Sequence, residues 1–103
     1  MVRDSIIMNN TVIGENCEIY KGIIAEGVEI ANGVKLGMGD EVENETDPHI
    51  YNQGMVTVGE KSYIPEGVSV GKNSVVFGTT TAADYPNGSL PSGRTLIKAG
   101  DER

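Results

Sequence analysis

The chain has 103 residues, and its 15 acidic side chains against 8 lysines and arginines give it a formal net charge of −7. This length supports one domain, or part of one. The acidic balance argues against a nucleic-acid or anionic-membrane partner, because such binders need clustered lysine and arginine. The apolar runs are far shorter than the roughly 20 residues that span a membrane. The single cysteine, Cys17, can form no internal disulfide, which fits a cytoplasmic protein.

A six-residue repeat begins near the start of the chain and continues through most of it. Aliphatic residues recur at every sixth position, with one step of five after Ile19 and one long gap after Val42. This period matches neither an α-helix nor a heptad, so each unit is interpreted as one short strand and one corner. The aliphatic positions are Ile7, Ile13, Ile19, Ile24, Ile30, Leu36, Val42, Val58, Ile64, Val70 and Val76.

The residue three places after each aliphatic position predicts the corners. Eight of these eleven residues are glycine or asparagine, the types that best tolerate a left-handed backbone. Three units would make a triangular coil of about 18 residues, and stacked coils would pair as parallel strands about 4.8 Å apart. The predicted corners are Asn10, Asn16, Gly22, Gly27, Gly33, Gly39, Glu45, Lys61, Gly67, Asn73 and Thr79.

The pattern therefore predicts an all-β protein, a parallel β-helix of about four triangular coils over residues 1–78. Allocating successive units to three faces puts Val42 and Val70 together on one face and Val58 and Val76 together on another. The first face would hold Ile19, Leu36 and Ile64. The second would hold Ile7, Ile24, Val42 and Val70, and the third Ile13, Ile30, Val58 and Val76.

Two segments depart from the repeat. An acidic stretch containing Pro48 predicts a loop insertion over about residues 43–57. Such loops on rigid scaffolds often carry function, and the alternative is a tolerated insertion without one. Residues 79–103 hold turn signals and a last strand-like run, and we interpret them as a cap on the bare edge of the last coil. Residues 2–7 look like an incomplete unit, so we expect the natural chain to continue upstream.

The repeat resembles the hexapeptide repeat of left-handed parallel β-helix proteins, and the left hand is implied by that resemblance. The run "VRDSIIMNNTVIGENCEIYKGIIAEGVEIANGVKLG" and the restart "MVTVGEKSYIPEGVSVGKNSVV" are similar to the C-terminal β-helix of the bacterial glucose-1-phosphate adenylyltransferase family. The similarity covers roughly residues 2–78. It implies a domain for oligomerisation and regulation that is not catalytic alone, with an upstream catalytic domain that holds Mg²⁺ and ATP.

The same resemblance implies a site for a phosphorylated sugar effector. An activator-binding lysine of plant family members falls on Glu60 here, with Lys61 next to it. The basic residues are scattered, and we expect Lys61, Lys72 and Arg94 to meet near the last coils as contacts for the effector anion. The alternative for Lys61 is a solvated surface lysine.

A second hypothesis is a small trimeric acyltransferase that uses the only histidine, His49, as general base toward an acyl-CoA substrate. The alternative for His49 is a surface or interface residue. One histidine and one cysteine cannot complete a zinc site, so no metal is expected, and Cys17 is expected to be packed rather than reactive. A third hypothesis is the β-helix of a regulatory subunit whose catalytic domain is degenerate.

Overall fold

The computed structural model describes residues 2–39, 42–46 and 54–98. These residues form short strands joined by tight corners, together with two single turns of 3₁₀ helix at Ala82–Asp84 and Pro86–Gly88. The strands are β1 Val2–Arg3, β2 Ile6–Ile7, β3 Val12–Ile13, β4 Glu18–Tyr20, β5 Gly22–Ile24, β6 Glu29–Ile30, β7 Lys35–Met38, β8 Val56–Val58, β9 Tyr63–Ile64, β10 Ser69–Gly71, β11 Val75–Phe77, β12 Ser89–Leu90 and β13 Thr95–Ile97.

Every paired strand is parallel to its neighbours, and the strands form three sheets. Sheet A has the order β1-β4-β7-β10-β12, sheet B the order β2-β5-β8-β11-β13, and sheet C the order β3-β6-β9. From β1 to β11, successive strands visit A, B and C in turn, so the described chain winds as the predicted β-helix. We call the junction from A to B corner I, from B to C corner II, and from C to A corner III.

The aliphatic residue of each unit points inward and lies above its equivalent in the adjacent coil. Ile19 pairs with Leu36 in sheet A, and Ile30 pairs with Ile64 in sheet C. These four side chains are fully buried. Burying an isoleucine or leucine contributes roughly 1.5–3 kcal/mol, so the stacked columns supply the main stabilisation of a prism too narrow for many aromatic rings.

The predicted allocation of units to faces is wrong after Leu36. Val70 pairs with Leu36 rather than Val42, and Val58 pairs with Ile24. The reason is that Val42 is not a repeat unit: its side chain is 50% exposed and lies outside any strand. The insertion therefore leaves the helix after β7, and the predicted loop residues Val56 and Thr57 already belong to β8.

Eight of the eleven predicted corner residues have a positive φ, but Gly22 does not. Gly22 lies within β5, and the left-handed residue of that corner is Lys21, with φ 56°. A Cβ on Gly22 would lie 2.8 Å from Cγ2 of Ile19, so this glycine is required by packing rather than by a turn. Glu45 and Thr79 also lack the predicted left-handed backbone.

The tail after residue 78 continues the β-helix. Strand β12 extends sheet A, β13 extends sheet B, and Thr79 forms a parallel bridge with Tyr63 of sheet C. The buried Tyr85 hydroxyl lies 2.8 Å from Oγ1 of Thr80, which donates to the carbonyl oxygen of Tyr63. Burial raises the pKa of Tyr85 to about 12. The hydrogen bond from Lys98 lowers the pKa of Asp84, and the two side chains form an ion pair of 2.8 Å.

Candidate functional site

Corner I brings together residues that are far apart in sequence. The amide of Lys21 donates to the carbonyl oxygen of Arg3 at 3.0 Å, and the amide of Val56 donates to the carbonyl oxygen of Lys21 at 3.0 Å. One coil further on, the amide of Asn73 donates to the carbonyl oxygen of Met55 at 2.8 Å. This ladder stacks the corners of the first four coils, so that side chains leaving them face the same region of solvent.

A cavity of about 270 Å³ lies along corner I, and we call it the basic cavity. It is lined by Arg3, Asp4, Tyr20, Lys21, Gly37, Gly54 and Lys72. Three of these side chains are cationic and one is anionic. The described lining residues therefore carry a net positive charge, although the chain as a whole carries −7.

Two of the lining residues are glycines with positive φ. Gly37 has φ 88°, and a Cβ there would lie 2.4 Å from the carbonyl oxygen of Tyr20. The backbone of β7 therefore approaches β4 too closely for any side chain at this position. Gly54, with φ 78°, forms part of the cavity wall, at the end of the insertion that leads into β8.

Both described ends of the insertion are held by Asn73, which is only 3% exposed. Its Oδ1 accepts from the amide of Gly54 at 2.8 Å, and its Nδ2 donates to the carbonyl oxygen of Val42 at 2.9 Å. The Nδ2 of Asn44 donates in turn to the carbonyl oxygen of Asn73 at 2.8 Å. We call these three hydrogen bonds the asparagine clamp, and they fix Gly54 beside Lys72.

The outgoing end of the insertion also reaches the last coil. The amide of Glu45 donates to the carbonyl oxygen of Gly93 at 2.7 Å, and the amide of Thr95 donates to Oε2 of Glu45 at 2.9 Å. Gly93 has φ 78°, and a Cβ there would lie 2.4 Å from the carbonyl oxygen of Glu43. The insertion therefore seats against the corner between β12 and β13 as well as against the corner at Asn73.

The structure places the three basic residues that the sequence analysis grouped at two corners. Lys72 and Arg94 lie in adjacent coils of corner I, where the amide of Gly93 donates to the carbonyl oxygen of Lys72 at 2.8 Å. Lys72 lines the basic cavity, whereas Lys61 lies at corner II, where its amide donates to the carbonyl oxygen of Glu26 at 2.9 Å. Arg94 follows Gly93 at corner I but lines a different cavity. That cavity has a volume of about 310 Å³ and is lined by Pro86, Asn87, Ser89, Leu90, Pro91 and Arg94. The grouping of Lys61, Lys72 and Arg94 at one effector site stays a prediction.

Arg3 and Lys21 were missed as candidates. Arg3 pairs with Tyr20 one coil and 17 residues further on, and Lys21 follows Tyr20, so the repeat itself was the signal that could have placed the two basic residues at the same corner. Their meeting with Lys72 was not visible, because it depends on how many repeat units the insertion replaces.

Cys17 does not line the basic cavity. Cys17 is buried, and its Sγ lies 3.2 Å from the carbonyl oxygen of Ala31, which is a packed environment. His49 lies outside the described residues, so the acyltransferase hypothesis stays a prediction.

Within residues 2–39, 42–46 and 54–98, no three histidine, cysteine or acidic side chains come together to hold a metal ion. No helix in those same ranges has the length and apolar character needed to cross a membrane.

Comparison with known proteins gives one family model and several relatives. Residues 1–58 match the model described as "GlmU-like, C-terminal hexapeptide". A glucose-1-phosphate adenylyltransferase of Acetivibrio thermocellus is 42% identical over 98 residues, which is 95% of this chain and 23% of the relative. A protein of the same name from Lachnospira eligens is 60% identical over 65 residues, or 63% of this chain and 15% of the relative.

A third glucose-1-phosphate adenylyltransferase, from Thermomicrobium roseum, is 35% identical over 91% of this chain and 22% of its own length. The chain therefore spans less than a quarter of the length of these relatives, and it aligns with their C-terminal part. No solved structure matches the chain significantly.

Proposed function

We propose, because the chain belongs to the GlmU-like C-terminal hexapeptide family, that it is the C-terminal oligomerisation and regulatory domain of a glucose-1-phosphate adenylyltransferase. Such an enzyme converts ATP and glucose-1-phosphate to ADP-glucose and pyrophosphate for glycogen synthesis, in the cytoplasm. The single observation that carries the proposal is the 42% identity, over 95% of this chain, to a protein of that name.

The chain is not catalytic on its own in this proposal. The described residues bring together no cluster of acidic, histidine or cysteine side chains, so they do not fit the Mg²⁺ that accompanies ATP. We propose that metal and nucleotide are held by a catalytic domain elsewhere in the natural protein. That domain is the first partner proposed for this chain.

The first coil supports a role in association. Strands β1, β2 and β3 are the edge strands of the three sheets, and they carry exposed apolar side chains. Ile6 and Val12 are about 60% exposed although both are β-branched and apolar. Exposed patches of this kind typically mark contact surfaces, so we propose this coil as the surface for the catalytic domain or for a second copy of the chain.

The insertion and the cation-lined corner support a role in regulation. A rigid β-helix that carries an anchored loop beside three basic residues is suited to sense an anionic effector and pass the effect to a neighbouring domain. We propose that the effector is a phosphorylated sugar.

The test starts from the natural gene. The full-length product should form ADP-glucose and release pyrophosphate from ATP, glucose-1-phosphate and Mg²⁺, whereas the 103-residue chain should form none. An upstream domain that folds but lacks this activity would favour a regulatory subunit. Saturable binding of acyl-CoA that is abolished by His49→Ala would favour the acyltransferase instead, and either result would overturn the proposed function.

A further inference from the structure

We infer that Asn87 is a site of spontaneous covalent modification, at which the side-chain amide is lost through a cyclic imide formed with the main-chain nitrogen of Gly88. This modification goes beyond the proposed function, because it depends only on the chemistry of this chain and on water. It turns a neutral residue of the tail into a carboxylate as the protein ages.

The reaction needs no partner other than water. The main-chain nitrogen of Gly88 loses its proton and attacks Cγ of Asn87. The bond from Cγ to the side-chain nitrogen then breaks, and this nitrogen leaves with the proton as ammonia. Water adds to one of the two carbonyl carbons of the imide ring. Opening on one side gives aspartate, and opening on the other gives isoaspartate, in which the main chain runs through the side chain and is one carbon longer.

The sequence offers two places for this chemistry. Asparagine is a chemically labile residue, and Asn32 and Asn87 are each followed by glycine. Glycine favours ring closure, because it lacks a Cβ and its nitrogen can approach Cγ with the least steric hindrance. The two sites are therefore equivalent by sequence, and only the fold can distinguish them.

Asn32 is held by the coils on both sides of it. Its Oδ1 accepts from the amide of Glu15 at 2.8 Å, and its carbonyl oxygen accepts from the amide of Gly67 at 3.0 Å. The amide of Gly33, which would supply the attacking nitrogen, donates to the carbonyl oxygen of Glu15 at 2.8 Å. Ring closure needs rotation of both the side chain and the main chain of Asn32, so it must break these hydrogen bonds between coils.

Asn87 is held only within its own turn. It is exposed, as are Pro86 and Gly88 on either side of it. In the part of the chain that the structure describes, the Asn87 side chain forms no hydrogen bond. The amide of Gly88 donates at 2.8 Å to the carbonyl oxygen of Tyr85 in the same turn. Opening one such 3₁₀ turn at the surface costs little, because its hydrogen-bond geometry is poor.

Two further features favour the reaction at Asn87. Its backbone is left-handed, with φ 56° and ψ 26°, so opening the turn releases strain, whereas Asn32 has no positive φ. A Cβ on Gly88 would meet nothing within 4 Å, so the imide ring has room to form. Opening at Asn32 also breaks two more hydrogen bonds, so we expect Asn87 to react at least about tenfold faster.

The product changes the tail in charge and in length. Asn87 and Arg94 line the same cavity of about 310 Å³, so the new carboxylate lies in reach of a guanidinium group that attracts it. Tyr85 is buried on one side of the turn, and Leu90 pairs with Val70 in sheet A on the other. The extra main-chain carbon of isoaspartate must therefore be accommodated in the short turn between these two anchored residues.

The experiment incubates the 103-residue chain at mildly alkaline pH in water enriched in heavy oxygen, with its fold followed by circular dichroism. Proteolysis and mass spectrometry then report on the peptides that contain Asn32 and Asn87. The Asn87 peptide should gain a carboxyl group carrying heavy oxygen, as both aspartate and isoaspartate, at least about tenfold faster than the Asn32 peptide. In urea, which removes both turns, the two rates should be similar.

A pair of variants checks the assignment on the intact chain. Ion exchange of the aged protein should show a more acidic species, because one carboxylate has been added. Asn87→Ser should remove this species, whereas the matched Asn32→Ser should leave it in place.

Three results would overturn the inference. Equal rates at Asn32 and Asn87 in the folded chain would show that the fold does not distinguish the two sites. Reaction at Asn87 in urea but not in the folded chain would show that the turn stays closed. Aspartate without isoaspartate at residue 87 would indicate direct hydrolysis instead of a ring formed with Gly88.

Discussion

Replacing Asn73 by alanine removes both side-chain hydrogen bonds that hold the insertion to corner I. The amide of Gly54 and the carbonyl oxygen of Val42 would each lose the Asn73 side chain as a partner, and the first of these bonds is buried. The substitution also places alanine at φ 60°, in a left-handed conformation that asparagine tolerates better. Two separate costs therefore act at one position.

The expected magnitude follows from these contacts. Each lost hydrogen bond costs about 1 kcal/mol net, so the pair contributes about 2 kcal/mol. The left-handed backbone adds about 1 kcal/mol. The free energy of unfolding should therefore fall by about 3 kcal/mol, and the melting temperature by about 4–8 °C for each kcal/mol in a domain of this size.

Asn16→Ala is the matched control. Asn16 also has a left-handed backbone, with φ 61°, but its side chain is exposed. The Asn16→Ala variant should therefore lose only the cost of the left-handed backbone, about 1 kcal/mol of unfolding free energy. Urea unfolding followed by circular dichroism gives both free energies, and hydrogen exchange at Gly54 reports the insertion directly. The reasoning is refuted if Asn73→Ala is no more destabilising than Asn16→Ala, or if the Gly54 amide stays protected.

Three further predictions test other parts of the structure. Gly93→Ala should displace the insertion, because the new Cβ would lie 2.4 Å from the carbonyl oxygen of Glu43. The rate of hydrogen exchange at the Glu45 amide should therefore rise. Gly67→Ala is the control: Gly67 has φ 75° and nothing lies within 4 Å of the new Cβ, so the Glu45 amide should stay protected. Leu36→Ala removes a fully buried side chain and should cost about 2–5 kcal/mol of unfolding free energy in urea titrations, whereas Ile97→Ala, 60% exposed, should cost far less. Burial raises the pKa of Tyr85 from 10.0 to about 12, so the contribution of Tyr85 to stability is complete below pH 10 and is lost as the pH rises toward 12. In Tyr85→Phe the free energy of unfolding should not show this fall. The same dependence of unfolding free energy on alkaline pH in both proteins would contradict the assignment.

The repeat made most of the fold predictable. An inward aliphatic residue every six positions, followed by glycine or asparagine, is a local rule, and units such as Ile19 and Ile30 obey it in the structure. Lys21 shows the limit of the rule, because it takes a left-handed backbone while the adjacent Gly22 fills a crowded place in a strand. Local preference identified that corner, but packing against Ile19 decided which residue occupies it.

The insertion was less predictable for a related reason. Val42 satisfies the six-residue spacing after Leu36, yet it lies exposed outside the strands. A single false unit shifts every later unit to a neighbouring face, which is why Val70 was assigned beside Val42 instead of Leu36. Spacing along the chain carries no information on whether a given unit is stacked.

The amino-acid sequence by itself determined the fold class, the parallel stacking of short strands, the aliphatic columns and most of the left-handed corners. These features depend on the conformational preferences of single residues and on the burial of one residue in six. Only the tertiary structure decided the register after the insertion, and with it the meeting of Arg3, Lys21 and Lys72 at one corner. That meeting depends on which coils are adjacent, and adjacency is set by how the insertion folds back through Asn73.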